Sequence, residues 1–153
     1  MIGNIKIIAV CMCKVYDERN YRIIRALNNF AVENDYRLFV YHTCSDLYWK
    51  TLSEKGEQSV FDLIDYNITD AVVTFEEGVY AENVMTKIRM DAAKYGKPVI
   101  SVGVEHDDCI SIKFGYAKGF EQVVRHVIEQ HGVRDTGFIF GTIYHITYQS
   151  DTN

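Results

Sequence analysis

A single proline, Pro98, stands in the whole 153-residue chain, and nothing in it is of low complexity. A chain with so few breakers and 48% hydrophobic residues has no long linkers and reads as one compact globular domain. Clusters of lysine and arginine are missing too: 16 basic residues face 21 acidic ones, for a formal net charge of -5. That balance lacks the basic footprint of a nucleic-acid binder, so direct nucleic-acid binding by this chain is not expected. No apolar run approaches the roughly 18 residues that would cross a membrane, and no basic n-region precedes an apolar one, so a cytoplasmic protein without membrane contact is expected. The four cysteines do not form the dense pattern of a secreted disulfide framework, and Cys11-x-Cys13 is one residue short of a redox Cys-x-x-Cys.

Several loop chemistries are absent as well. There is no Gly-x-Gly-x-x-Gly, no Gly-x-x-x-x-Gly-Lys-Ser/Thr and no Gly-x-Ser-x-Gly, which removes the usual dinucleotide cradle, triphosphate cradle and nucleophile elbow. Bulky Met12, Val15 and Tyr16 stand where a flavodoxin-like phosphate loop needs small hydroxyl residues, and Thr74-Phe75 stand where a phospho-receiver needs aspartate. No cofactor is expected.

What is present is an alternation of strand and helix. Ile5 to Val10 is a nearly unbroken apolar run of strand length, the mark of a central parallel strand, with a loop from Cys11 to Tyr16 after it. Asp17 is positioned to cap a helix from Glu18 to Asn34 whose inward stripe is Ile23, Ile24, Leu27, Phe30 and Ala31. Tyr36 to His42 reads as the second strand, and Thr43 to Gly56 as a long structured loop with Trp49 as its core anchor. A short helix follows over Glu57 to Tyr66, then a strand from Asp70 to Phe75 and a helix from Ala81 to Tyr95, which Gly96 should end in the left-handed conformation. Further strands are expected at Pro98 to Val102, Cys109 to Phe114 and Gly137 to Phe140. The helix Tyr116 to His131 is expected to turn Phe120, Val123, Val124, Val127 and Ile128 inward and to stop at Gly132. Crossovers of this length predict an α/β fold: a three-layer, doubly wound parallel sheet of order 2-1-3-4-5.

In such sheets ligands bind at the carboxyl ends of the strands, so the candidates are the segments Cys11 to Asp17, Thr43 to Asp46, Glu76-Glu77 and Gly103 to Asp108. Cys11, Cys13, His42, Cys44, His106 and Cys109 all fall near that rim, and thiolate with imidazole would suit zinc. None has the short spacing of a dedicated site, so no metal is expected. Glu76 and Glu77 read either as an acid and base pair, as ligands to sugar hydroxyls, or as a solvated turn. Tyr16 and Tyr21 flank a helix start, where an aromatic ring either stacks on a ligand or packs on its own loop. His126 and His131 lie away from the rim.

The order of these features resembles the ligand-binding core of LacI/GalR-type regulators and periplasmic binding proteins. Ile7 to Asp17, the helix and Asn34-Asp35-Tyr36-Arg37-Leu38 resemble the family's first strand, ligand loop, helix and second-strand start. Ile68-Thr69-Asp70-Ala71-Val72-Val73 is similar to its "Val-Asp-Gly-Ile-Ile" strand, and Gly96-Lys97-Pro98-Val99-Ile100 to its "Gly-Ile-Pro-Val-Val". Val124-Arg125-His126-Val127-Ile128, followed by His131-Gly132-Val133-Arg134-Asp135, resembles "Ala-x-x-His-Leu-Ile-x-x-Gly-His". The resemblance implies a type I periplasmic-binding-protein-like lobe over residues 5–114, the first helix and strand of a second lobe over 115–141, and an irregular tail over 142–153. It implies a non-catalytic domain that senses a small, sugar-like molecule in a bacterial signalling or transcription regulator, of the kind placed ahead of GGDEF-type diguanylate cyclases. Ligand contacts carried over by position are Tyr16, Asp17, Tyr21, Glu76, Glu77 and Glu105. No helix-turn-helix precedes the core, and the second lobe breaks off after Gly141, so a truncated product or fragment is expected. The apolar face of the Phe120 to Ile128 helix then needs a partner, docked on the first lobe or in a homodimer. The rival readings are a dimerising interaction module with a vestigial cleft, and a small α/β enzyme using Glu76 or Glu77.

Overall fold

The computed structural model describes residues 5–77, 79 and 81–133. The expected strand at Gly137 to Phe140 and the tail over 142–153 lie outside the described residues. The chain divides into two compact units, Met1–Phe114 and Gly115–Asn153.

In the first unit the elements run β1 (Lys6–Cys13), α1 (Glu18–Glu33), β2 (Tyr36–Thr43), α2 (Leu52–Gln58), a 3-10 turn (Ser59–Leu63), β3 (Ala71–Phe75), α3 (Glu82–Lys94), β4 (Val99–Val102) and β5 (Ile110–Ile112). The strands form one sheet in the order β2-β1-β3-β4-β5, every pairing parallel. The expected fold class and strand order are therefore those observed. Since β1 to β2 steps one way along the sheet and β2 to β3 the other, right-handed crossovers put α1 on the opposite face from α2 and α3. Alternate residues of β1 serve the two faces. Ala9, Cys11 and Cys13 join Val72, Val99, Phe61, Ile64, Met85, Ile88 and Ala92 in the core under α3 and the 3-10 turn. Val10 and Met12, fully buried, point the other way, towards the α1 side. The start of the sheet is pinned by a reciprocal pair: Ile7 N–H donates to Asp70 Oδ2 at 2.7 Å, and Asp70 N–H donates to the Ile7 carbonyl at 2.8 Å.

Several boundaries differ from the expectation, each for a local reason. β1 runs three residues past Val10, because Cys11, Met12 and Cys13 are apolar enough to stay buried and keep pairing with Tyr41, His42 and Thr43. The helix expected at Glu57 starts earlier. Thr51 Oγ1 accepts from the Glu54 N–H at 3.2 Å, and the Glu54 carboxylate accepts from Thr51 N–H at 3.0 Å and Trp49 N–H at 3.2 Å, a capping box that nucleates α2 at Leu52. Trp49 is not the anchor of its loop: it is 77% exposed, whereas Leu47, held at φ 59°, is 0% exposed and fills the core. On α1 Phe30 is exposed and Ala31 alone is buried. Tyr95 is exposed, and Arg89 is buried on the inward stripe of α3 with Met85, Ile88 and Ala92. Gly96 (φ 64°) and Gly132 (φ 62°) both take the left-handed conformation expected of helix stops. β5 is three residues long, shorter than Cys109 to Phe114.

The described part of the second unit is the helix α4 (Tyr116–His131). No residue of α4 is buried, and Phe120, Val123 and Ile128, expected inward, are exposed. No helix among the described residues is long and apolar enough to cross a membrane.

Candidate functional site

The carboxyl ends of β1 to β4 gather most of the residues singled out by sequence. β1 leaves the sheet at Lys14, whose φ of 46° turns the chain, while its N–H still donates to the Thr43 carbonyl at 2.8 Å. Asn20, from the first turn of α1, donates through Nδ2 to the carbonyls of Cys13 (3.0 Å) and Lys14 (3.1 Å), and the Lys14 ammonium pairs with Asp46. This ties the loop to α1 and to the segment after β2. Asp17 sits at the N-cap with extended backbone, but its side chain makes no cap bond, contrary to expectation; its carbonyl accepts from Tyr21 N–H at 2.8 Å. Tyr16, although exposed, donates its hydroxyl to the Cys44 carbonyl at 2.5 Å and so braces two loops. The Tyr21 ring is exposed to solvent.

Glu76 and Glu77 part company, because consecutive residues leaving a strand point to opposite faces. Glu76 is 7% exposed and is the hub of a buried polar network. Thr74 Oγ1 donates to its Oε1 at 2.7 Å, Arg89 Nη1 lies 3.0 Å from both carboxylate oxygens, and His106 Nε2 is 2.8 Å from Oε2. Its backbone N–H donates to the Val102 carbonyl at 2.9 Å. Burial disfavours its ionised form, but the Thr74 and His106 bonds and the Arg89 charge together outweigh that, and the carboxyl lies below its ordinary value. An acid or base would need the opposite shift and a free lone pair. Arg89 Nε has no hydrogen-bond partner among the described residues; the Asp108 carboxylate stands 3.5 Å from it, an ion pair by distance alone.

Glu77 faces outward and pairs with Arg19 at 2.6 Å. The Arg19 guanidinium also lies over the Phe114 ring, 4.9 Å from its centre. Gly103 makes this approach possible: at φ 102°, a Cβ placed on it would come within 2.7 Å of Glu77 Cβ and 3.0 Å of Glu77 N. Glu105 is exposed on the β4–β5 loop and pairs with Lys113. Between these groups lies a small cleft of about 40 Å³, lined by Arg19, Asn20, Asp46, Glu77, Phe75 and Phe114 among others. Of the six ligand contacts carried over by position, Glu77 alone lines it, while Cys13 and Asp46 come from the rim segments Cys11 to Asp17 and Thr43 to Asp46. Arg19 and Asn20 were missed, since polar residues in the first turn of a helix carry no local signal. Arg89 did carry one: it stands between Ile88 and Ala92 on the inward stripe of α3, and a buried guanidinium demands a buried anion.

The cysteines near the rim are found in different settings. Burial is the main force raising the Cys13 thiol to about 11, partly offset by the Thr43 hydroxyl 3.0 Å from its sulfur, and burial with the nearby Glu76 charge raises that of Cys11. Cys44 is exposed. No three His, Cys, Asp or Glu side chains converge on a metal position among the described residues. A larger groove of about 340 Å³ lies between α2 and α3, bridged by the Lys87–Asp62 pair at 2.5 Å, and contains none of the residues named from sequence.

No protein-family model matches the chain, and no curated protein matches it. Among solved structures, it is similar to the crystal structure of the Lac repressor dimer bound to operator and the anti-inducer ONPF, with a TM-score of 0.56 and 11% sequence identity. The match covers 80% of this chain and 34% of the repressor chain, so the chain spans about a third of that protein's length. At this identity the likeness shows the fold: an open parallel sheet of periplasmic-binding-protein type.

Proposed function

We propose that residues 5–114 form one wall of a small-molecule sensing domain, without a catalytic step of its own, within a signalling or transcription regulator. The observation that carries this reading is the cleft at the carboxyl ends of the strands. There a guanidinium (Arg19), an amide (Asn20) and two carboxylates (Asp46, Glu77) surround the rings of Phe75 and Phe114. Planar polar groups that can each bridge two hydroxyls, beside an aromatic ring that can take an apolar C–H face, suit a sugar-like ligand. A cleft of about 40 Å³ is too small to enclose such a molecule, since ligand pockets run from roughly 300 Å³. Residues 5–114 thus supply one wall of a site and not an enclosing pocket. Tyr16, Asp17, Tyr21, Glu76 and Glu105 are outside the lining of this cleft and are proposed as further contacts by their positions in the chain alone.

The test is a thermal-shift screen of sugars, polyols and nucleosides on the wild-type chain and on Arg19→Ala. A ligand present at about 100 times its dissociation constant adds about 2.7 kcal/mol of stability, which is easily read as a rise in Tm. A hit whose shift disappears in Arg19→Ala supports the reading. Silence across the panel, or a hit indifferent to Arg19, refutes it.

A further inference from the structure

On the sheet face covered by α3, the two connecting segments are unequal. α3 is a helix of 13 residues, whereas the link from β2 to β3 is the seven-residue α2 followed by a 3-10 turn of five. Each leads from the carboxyl end of one parallel strand towards the amino end of the next, so the two run in the same direction. Between them lies the groove of about 340 Å³, inside the range of small-molecule sites, which begins at roughly 300 Å³.

The floor of this groove is fixed. Phe61 and Ile88, 5% and 3% exposed, belong to the core, and the half-buried Tyr66 ring is stacked on Tyr95 with centres 5.5 Å apart. The walls come from residues at helical spacing, Lys55, Gln58 and Ser59 on one side and Asn83 and Lys87 on the other. Among the described residues, the side chains of Lys55, Gln58 and Asn83 make no hydrogen bond or ion pair. The acidic residues of the groove are met: Lys87 reaches across to Asp62 at 2.5 Å, and Asp91 pairs with Lys94 at 2.7 Å. One ammonium group and two amides are left over. The Lys87 and Asp62 side chains are 63% and 60% exposed, and ion pairs so open to water contribute little, so an anion in the groove can draw on Lys87 as well.

These groups narrow the ligand. Two ammonium groups from facing segments suit a compact anion of more than one charge, which a phosphate monoester supplies. A side-chain amide donates and accepts in one plane, and so fits the edge of a heterocyclic base, as Asn and Gln fit adenine through N6 and N7. The aromatic and aliphatic floor takes the flat face of such a base. A volume near the lower limit of ligand sites admits a single nucleotide.

We propose that the groove between α2 and α3 is a second binding site, for a nucleoside monophosphate. Lys55 and Lys87 hold its phosphate, Gln58 and Asn83 read the edge of its base, and the base lies over Tyr66 and Ile88. None of these residues lines the cleft of Arg19 and Glu77, so the two sites stand or fall separately.

The experiment is an NMR titration of the isotope-labelled full chain with AMP, adenosine and inorganic phosphate. AMP is expected to saturate with a Kd on the order of 1 mM, moving the backbone amides of Gln58, Ser59, Asn83 and Lys87. Adenosine and phosphate, each lacking half of the contacts, stay unsaturated up to about 10 mM. Lys55→Gln and Asn83→Ala, both at exposed positions, each raise the Kd for AMP about tenfold, and the unmoved remainder of each spectrum shows that the variant is folded. Arg19→Ala leaves the AMP titration unchanged. The proposal is overturned by the absence of saturation with AMP up to about 10 mM, or by shifts centred on the Arg19 and Asn20 amides instead. Phosphate alone binding as tightly as AMP, or folded Lys55→Gln and Asn83→Ala variants with wild-type affinity, overturns it equally.

Discussion

Replacing Glu76 by glutamine tests the buried network most directly. The carboxylate receives Arg89 Nη1 at 3.0 Å on each oxygen, Thr74 at 2.7 Å and His106 at 2.8 Å, and both members of the Glu76–Arg89 pair are about 7% exposed. Removing one charge of a buried pair strands the other, which costs about 3–5 kcal/mol. Asp108, 3.5 Å from Arg89 Nε, still offsets part of the guanidinium charge, so the lower end applies, about 3 kcal/mol. With a urea slope of about 1–3 kcal/mol/M, the unfolding midpoint falls by roughly 1–3 M. The pH dependence follows from the sign of the shift. The folded carboxyl titrates below its ordinary 4.5, so the stability it contributes is fully present above pH 4.5 and is lost as pH falls through the folded value. Urea titrations of wild type and Glu76→Gln should therefore show a constant gap from pH 7 down to about pH 5 that closes below 4.5. In Glu76→Gln/Arg89→Met much of the loss returns, since the guanidinium charge that Glu76→Gln strands is then gone. A gap under about 0.5 kcal/mol at pH 7, the range of an ordinary surface change, or one that widens in acid, refutes the account of the network.

Three further outcomes are expected. Gly103→Ala brings a Cβ to 2.7 Å from Glu77 Cβ at a φ of 102°, and costs about 3 kcal/mol in chemical denaturation from crowding and backbone strain together. Leu47→Ala, at a fully buried site, lowers stability by about 2–5 kcal/mol, while Trp49→Ala changes it by about 0.5 kcal/mol or less, the reverse of the ranking by side-chain size. Under native conditions at pH 8, alkylation labels the exposed Cys44 first. Cys13, its thiol raised to about 11, and the buried Cys11 react only after unfolding, as peptide mapping by mass spectrometry would show.

The architecture was readable because burial writes itself into local pattern. The two-sided burial of β1 produces the run Ile7 to Val10, the one-sided burial of α3 spaces Ile88 and Ala92, and Gly96 and Gly132 stand where a left-handed residue ends a helix. The loop after β2 was harder: the capping box of Thr51 and Glu54 that starts α2 lies inside the stretch read as loop. Nothing local announced that Leu47 rather than Trp49 would face the core, because that choice is made by a positive φ and by the backbone bond from Trp49 to Glu54.

By itself, then, the sequence determined the strands, the helices, their alternation and hence the parallel sheet and its order, since periodicity and chain handedness are properties of consecutive residues. Tertiary structure alone decided which carboxylate would be sunk and which exposed. Glu76 and Glu77 are chemically identical neighbours, and what separates them comes from afar: Arg89 thirteen residues on and His106 thirty residues on close over the first, while Arg19, fifty-eight residues back, takes the second. A charge reads the groups that surround it in space, and that neighbourhood exists only once the sheet has brought four strand ends together.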